Sequence, residues 1–219
     1  MLLAVCIGLT TIACAVTVRW ALVRVDSLGR RSRPFPVLSV GLPAVAAILC
    51  AVPVVRHAQL EAQLGHVTSI LAGVSASVRC ETAGQAWLEV HPERGYVAVG
   101  ADGKPSHEAV VTYDTCNDLA GWIASDHRTP TADQVIAVHV LSHEAMHVSG
   151  TLDEARAECA AVQRDARTAQ LLGATVDQAR SLARQYLLTV YPTLPDTYRS
   201  AGCVAGGELD EHLENSPWS

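Results

Sequence analysis

The chain has 219 residues, 49% of them apolar but only 5% aromatic, and a formal net charge of −6. That length holds one ordinary domain plus short flanking segments. Residues 1–57 carry six Arg against the single acid Asp26, whereas residues 58–219 carry ten basic and twenty-one acidic side chains, a charge of −11. So acidic a domain lacks the clustered Lys and Arg that grip phosphate, which excludes nucleic acid as a partner.

Met1 to Val18 is uncharged, and Arg19, Trp20 and Arg24 follow it. Val37 to Val55 is a second uncharged run, closed by Arg56. Each is about long enough to cross the hydrocarbon core as a helix, so residues 1–56 are expected to form a two-span transmembrane hairpin. A signal peptide is the rival for the first run, but its basic residues would precede the apolar stretch, not follow it. Gly41, Pro43 and Pro53 suit a membrane helix better than a buried soluble one. The loop between the runs holds Arg30, Arg31 and Arg33, helped by Arg24, and the positive-inside rule keeps it cytoplasmic. Residues 57–219 are then extracytoplasmic, in a multi-pass protein of the cell membrane.

Cys6, Cys14 and Cys50 fall in the spans, where Cys acts as a small hydrophobe. Cys80, Cys116, Cys159 and Cys203 fall in the outer part. In an oxidising compartment four Cys predict two disulfides with three possible connectivities, and sequence order favours Cys80–Cys116 and Cys159–Cys203.

Apolar residues at 60, 64, 67, 71 and 74 predict a stalk helix over 57–79 that continues the second span. Alternating runs at 86–91, 95–100 and 108–113, separated by turn residues at 92–95 and 102–103, predict a small antiparallel sheet. Three helices follow. Thr131-Ala-Asp-Gln134 is a capping box that opens the first, which stops at Gly150. Thr151-Leu-Asp-Glu154 opens the second, up to about Leu172, and Thr175-Val-Asp-Gln178 opens the third, ending before Pro192. The fold class is α+β: a membrane hairpin (1–56), a stalk helix (57–79) and an outer domain (80–219) made of a small sheet and a helical half.

His143-Glu144-Ala145-Met146-His147 lies within the first of these helices. Positions i and i+4 share a helix face, so both imidazoles reach one ion from consecutive turns. Glu144 projects beside them, placed to take a proton from a metal-bound water. Zn2+ suits two neutral imidazoles and a carboxylate. The surrounding Val135, Val138, Leu141 and Ala145 argue that this face is buried, where a His pair needs partners. Asp153, Glu154 and Glu158 follow as candidates for the third ligand.

These residues resemble two zinc-peptidase patterns. His143-Glu-x-x-His147-x-x-Gly150-x-x-Asp153 is similar to the aspartate variant of the metzincins seen in snapalysin-type proteases. That family also carries a Met on a later turn, and the only Met residues here are Met1 and Met146. Glu154-Ala-Arg-Ala-Glu158-Cys159 resembles the second helix of a gluzincin. That resemblance implies Glu154 as the third zinc ligand and Glu158 as the acceptor that orients His143, although the short join between the helices leaves the two roles open to exchange. The stretch from Cys80 to Trp218 also looks like a group of actinobacterial membrane proteins with no assigned substrate. These share a His-Glu-Ala-x-His…Glu-Ala-x-x-Glu-Cys motif and a tail like Tyr198-Arg-Ser-x-x-Cys203-x-x-Gly-Gly.

The expectation is a membrane-anchored zinc metallopeptidase with a zincin-like helical half, hydrolysing peptide or protein substrates with Glu144 as general base. The alternative is a catalytically silent binding domain stapled by zinc and disulfides, for which an intact Glu144 is unnecessary. His139, one turn before His143, is either a substrate or oxyanion contact or a packed, hydrogen-bonded side chain. Tyr186, Tyr191 and Tyr198 are candidate oxyanion donors. Substrate specificity and oligomeric state are not written in these motifs.

Overall fold

A computed structural model describes residues 2–25, 29, 34–88 and 93–218. Arg30, Arg31 and Arg33 of the predicted cytoplasmic loop, and residues 89–92 at the end of the first predicted strand, lie outside the described residues. The chain divides into two compact units, Met1–Leu60 and Glu61–Ser219.

The first unit consists of α1 (Leu2–Val23) and the N-terminal part of α2 (Val37–Ala72). Their apolar side chains point outward: Leu38, Leu42 and Leu49 are 75%, 69% and 67% exposed. Both are long and apolar enough to cross a membrane. The hydroxyls of Thr10, Thr11 and Thr17 donate to carbonyls one turn back, each at 2.8 Å, so no hydroxyl of these three is left unsatisfied in an apolar setting. At the C-terminal end of α1, Trp20 packs edge-on against Phe35 at 4.9 Å and its indole N–H donates to the Pro34 carbonyl. Pro43 and Pro53 both lie within α2, which runs on through Ala72.

The second unit begins with the last turns of α2, where Leu64, Val67 and Thr68 are buried. The sequence assigned residues up to 79 to the stalk; the helix stops at Ala72, and Ser77–Cys80 instead form strand β1. The short helix α3 (Ala83–Leu88) comes next, followed by β2 (Gly95–Val99) and β3 (Pro105–Val111). The three strands lie in the order β1-β3-β2. β2 pairs antiparallel with β3, Tyr96 opposite Val110, across a short hairpin loop closed by the Gly100 N–H donating to the Lys104 carbonyl, with Gly103 at a φ of 76°. β1 pairs parallel with β3, Ser77 opposite Glu108 and Cys80 opposite Val111. The predicted all-antiparallel sheet is therefore corrected to a mixed one. The run placed in the first strand is helical where it is described, because a short apolar run does not distinguish helix from strand by its period.

Beyond the sheet come α4 (Tyr113–Ala124), α5 (Ala132–Val148), α6 (Glu154–Leu171) and α7 (Val176–Thr189). α4 was not anticipated. It buries Thr115, Cys116, Leu119 and Trp122 against the rest of the unit. α5 is the centre of the domain, buried at twelve positions from Val135 to Val148 and packed on α4, α6, α7, β2 and β3. Such a helix is wrapped on all sides, which is why its polar residues need internal partners.

Both predicted disulfides are present, Cys80–Cys116 and Cys159–Cys203. The first ties the end of β1 to the start of α4. The second ties the C-terminal tail to α6. The tail is further held by Gln163, whose amide donates to the Leu209 carbonyl at 2.9 Å and accepts from the Glu211 N–H at 2.7 Å.

Candidate metal centre

α5 starts as the capping box predicts: the Thr131 hydroxyl accepts from the Gln134 N–H, and the Gln134 side chain returns to the Thr131 N–H. It ends at Gly150, whose φ of 106° only glycine adopts readily. The Gly150 N–H bonds the His147 carbonyl and the Thr151 N–H bonds the Met146 carbonyl, so the chain reverses within a few residues. α6 is then capped by Asp153, whose side chain accepts from the Arg156 N–H at 2.9 Å. Asp153, not Thr151, is the cap, and Asp153 belongs to neither cluster with metal-ligand spacing. Contacts between the two helices pair 147 with 154, 143 with 158 and 142 with 168, so they run antiparallel.

The outcome is a triangle of donor atoms. The Nε2 atoms of His143 and His147 face each other at 2.9 Å. Glu154 Oε2 lies 3.2 Å from the first and 3.4 Å from the second. A zinc ion with ligands at about 2.0–2.1 Å and tetrahedral angles separates its ligand atoms by about 3.3 Å. The ring of His147 is oriented by its Nδ1–H, which donates to the Thr151 carbonyl at 2.7 Å. A carbonyl only accepts, so Nδ1 carries the proton and Nε2 offers a lone pair. His143 Nδ1 lies 3.1 Å from Glu158 Oε2, close enough for attraction but angled away from a straight hydrogen bond. A proton on His143 Nε2 satisfies these close contacts in the metal-free protein, and with that proton removed the three atoms form a donor set that zinc accepts.

The electrostatics agree. Burial lowers the His143 pKa, but its contacts with Glu154 and Glu158 outweigh this and push it up to about 9, so a proton occupies the place when no metal competes. His147 is held below its ordinary range by burial and by the neighbouring His143. Glu154 is held low chiefly by its hydrogen bond to His143, and it sits at the mouth of the site with 42% of its side chain exposed. Glu144, 3% exposed, is pushed up to about 7, mainly by burial, and among the described residues its Oε2 has no hydrogen-bond partner.

These groups lie on the floor of a cleft of about 520 Å³, bordered by β2 and by the segment after α7. Among the tyrosines, Tyr186 is buried and its hydroxyl donates to Glu158 Oε1 at 2.8 Å. Tyr191 is engaged with the Ser200 backbone. Tyr198 lines the cleft, its ring 6.0 Å from that of His143.

His139 proves to be packed rather than open. Its Nδ1 lies 3.0 Å from Asp165 Oδ2 and its Nε2 3.0 Å from Glu158 Oε2, with the Tyr186 ring stacked on it at 3.6 Å. Burial opposes its charge, yet the two carboxylates push its pKa up to about 10. Asp165 was missed in the sequence, although it lies seven residues after Glu158 and hence on the same helix face. His139, His143 and Glu158 form a second group with metal-ligand spacing, sharing His143 with the first.

Comparison with protein families, curated proteins and solved structures finds no match to this chain. Its functional reading therefore rests on the geometry of the site.

Proposed function

We propose that this protein is a zinc-dependent peptidase with a zincin-like helical half, anchored by two N-terminal spans and acting outside the cytoplasm. The observation that carries the reading is Glu144. A structural zinc site needs only its ligands, whereas here a buried carboxylate, one oxygen of which has no hydrogen-bond partner among the described residues, stands in the cleft beside the triangle of His143, His147 and Glu154. A carboxylate placed there can bond a water or substrate group in the cleft, a contact that a structural zinc site does not use.

When bound, zinc supplies Lewis acidity to a water molecule and to the scissile carbonyl. With zinc held by His143, His147 and Glu154, Glu144 would take the proton of the attacking water as the water's oxygen bonds to the carbonyl carbon. The same carboxyl then gives the proton to the amine nitrogen as the C–N bond breaks. A pKa of about 7 suits a group that must both take and return a proton near neutral pH. Tyr198, whose hydroxyl makes no hydrogen bond among the described residues, is the oxyanion donor in this scheme. Tyr198→Phe is then expected to lower kcat about 100-fold at unchanged zinc content, and an unchanged kcat removes it from this role.

The cleft suits an extended peptide. β2 runs along the cleft, with Gly95, Tyr96, Val97 and Val99 in its lining, where an extended chain could lie beside it. Val97, Val140, Leu152 and Leu194 give the walls an apolar character. The two disulfides suit an oxidising compartment, in keeping with the Arg-rich loop on the cytoplasmic side.

The test is digestion of a broad peptide library by the full-length, detergent-solubilised protein. Cleavage that a zinc chelator stops and added zinc restores is expected. A zinc-loaded protein that cleaves nothing would favour the silent, zinc-stapled domain.

A further inference from the structure

We propose that Asp165 and His139 are positioning residues of the metal centre, holding the Glu158 carboxylate in the orientation that fixes the His143 ring. The inference rests on the reading of His143, His147 and Glu154 as a metal site, and it reaches past that triangle into the core behind it.

The geometry is a chain of contacts across three helices. Asp165 Oδ2 and Glu158 Oε2 each lie 3.0 Å from a different nitrogen of His139. Ionised carboxylates only accept, so both ring nitrogens donate and the ring is a cation. Glu158 Oε2 accepts from His139 Nε2 on one side and on the other lies 3.1 Å from His143 Nδ1, a charge contact off the straight hydrogen-bond line that a small turn of the ring would close. Its second oxygen receives the Tyr186 hydroxyl at 2.8 Å, and the Tyr186 ring lies nearly parallel to that of His139. Glu158 is thus gripped from α5 and α7 while it rides on α6, and it has no freedom to swing toward the ion in place of Glu154.

A core has little reason to bury such a set for stability. Asp165 is 0% exposed, Glu158 2% and His139 3%. Apolar residues of the same volume would pack as well, because taking charges out of water roughly cancels what their pairing returns. The set makes sense once a divalent ion is present: that ion and the His139 cation together balance Glu154, Glu158 and Asp165. In this proposal Glu154 is the ligand and Glu158 the support, although Glu158 also belongs to a second ligand-spaced group with His139 and His143. Glu154 is free at the cleft mouth, and Glu158 is held from behind.

The test is zinc affinity of the full-length protein, measured by competition with a fluorescent chelator at neutral pH, alongside thermal unfolding of the metal-free form. His139→Phe keeps a ring to stack on Tyr186 but cannot hold Glu158, so zinc binding is expected to weaken about 10–100-fold, as does Glu158→Gln. Because His139 acts only through Glu158, the double variant should bind within about 2-fold of Glu158→Gln alone. Asp165→Asn, which preserves shape, should weaken zinc in the same direction and shift the visible spectrum of the cobalt-substituted protein. Its unchanged affinity and spectrum would overturn the proposal even if His139→Phe did not fold. So would a double variant showing the two losses added, or variants that unfold more easily yet hold zinc as the wild type does. Wild type that binds no zinc sinks the metal centre and this inference together. Wild type that binds zinc but cleaves no peptide sinks only the peptidase reading.

Discussion

A Cβ added to Gly95 would stand 2.9 Å from Glu144 Oε1 and 3.1 Å from Glu144 Cγ. The first residue of β2 therefore presses against the proposed general base, and only a hydrogen fits between them. The backbone of Gly95 is ordinary strand, so alanine there would otherwise be neutral or stabilise by up to about 1 kcal/mol through the unfolded chain. Gly95→Ala is expected to displace Glu144 and to lower kcat at least about 10-fold, with zinc content unchanged. Full activity in this variant would show that the close approach is incidental.

The ligand assignment separates three residues from their neighbours. His143→Ala, His147→Ala and Glu154→Ala each remove a donor atom of the triangle and should reduce bound zinc to a small fraction of one per chain. Asp153→Ala should keep zinc and lose about 1 kcal/mol of stability, because its side chain caps α6. Metal analysis after dialysis reads both outcomes. Zinc loss in Asp153→Ala with zinc retained in Glu154→Ala would move the third ligand to Asp153.

Zinc binding should release protons in a predictable pH window. With its pKa pushed up to about 9, His143 in the metal-free protein is protonated at pH 7 and must lose that proton to bind zinc. Calorimetry in buffers of different ionisation enthalpy should report release of about one proton at pH 7, fading above about pH 9. Over the same interval the apparent affinity should rise about tenfold per pH unit. No proton release at pH 7 would contradict the site geometry.

Much of this site was legible in the sequence, and the reasons are local. The His143 and His147 spacing, the Thr131 and Thr175 capping boxes and the stop at Gly150 all depend on residues within one or two helical turns of each other. The illegible parts depend on packing at a distance. β1 is only four residues, Ser77–Cys80, too short for a period to show, and its parallel pairing is set by where α2 delivers the chain. α4 buries Cys116, Leu119 and Trp122 at spacings of three, a helical pattern hidden by the strand-like run before it. Asp165 acquires meaning only when antiparallel packing brings it to His139, twenty-six residues earlier.

The disulfides carry a separate prediction. Each should stabilise the domain by about 2–4 kcal/mol. Replacing Cys159 and Cys203 together should also loosen the tail after Tyr198 and slow cleavage, whereas replacing Cys80 and Cys116 should affect stability more than catalysis. Mass mapping without reductant, on protein from its native membrane, should find both bonds. Four alkylatable thiols there would refute them and remove a support for the extracytoplasmic placement.

The central claim is that Glu144 works as a base beside a bound metal, and the most direct measurement compares wild type with Glu144→Gln, both loaded with zinc, in the same peptide-library digest. Glutamine keeps the size and a polar group but cannot accept the proton. The account predicts about one zinc per chain in both proteins and at least about a 100-fold loss of cleavage in the variant. Equal cleavage by the two proteins would contradict it.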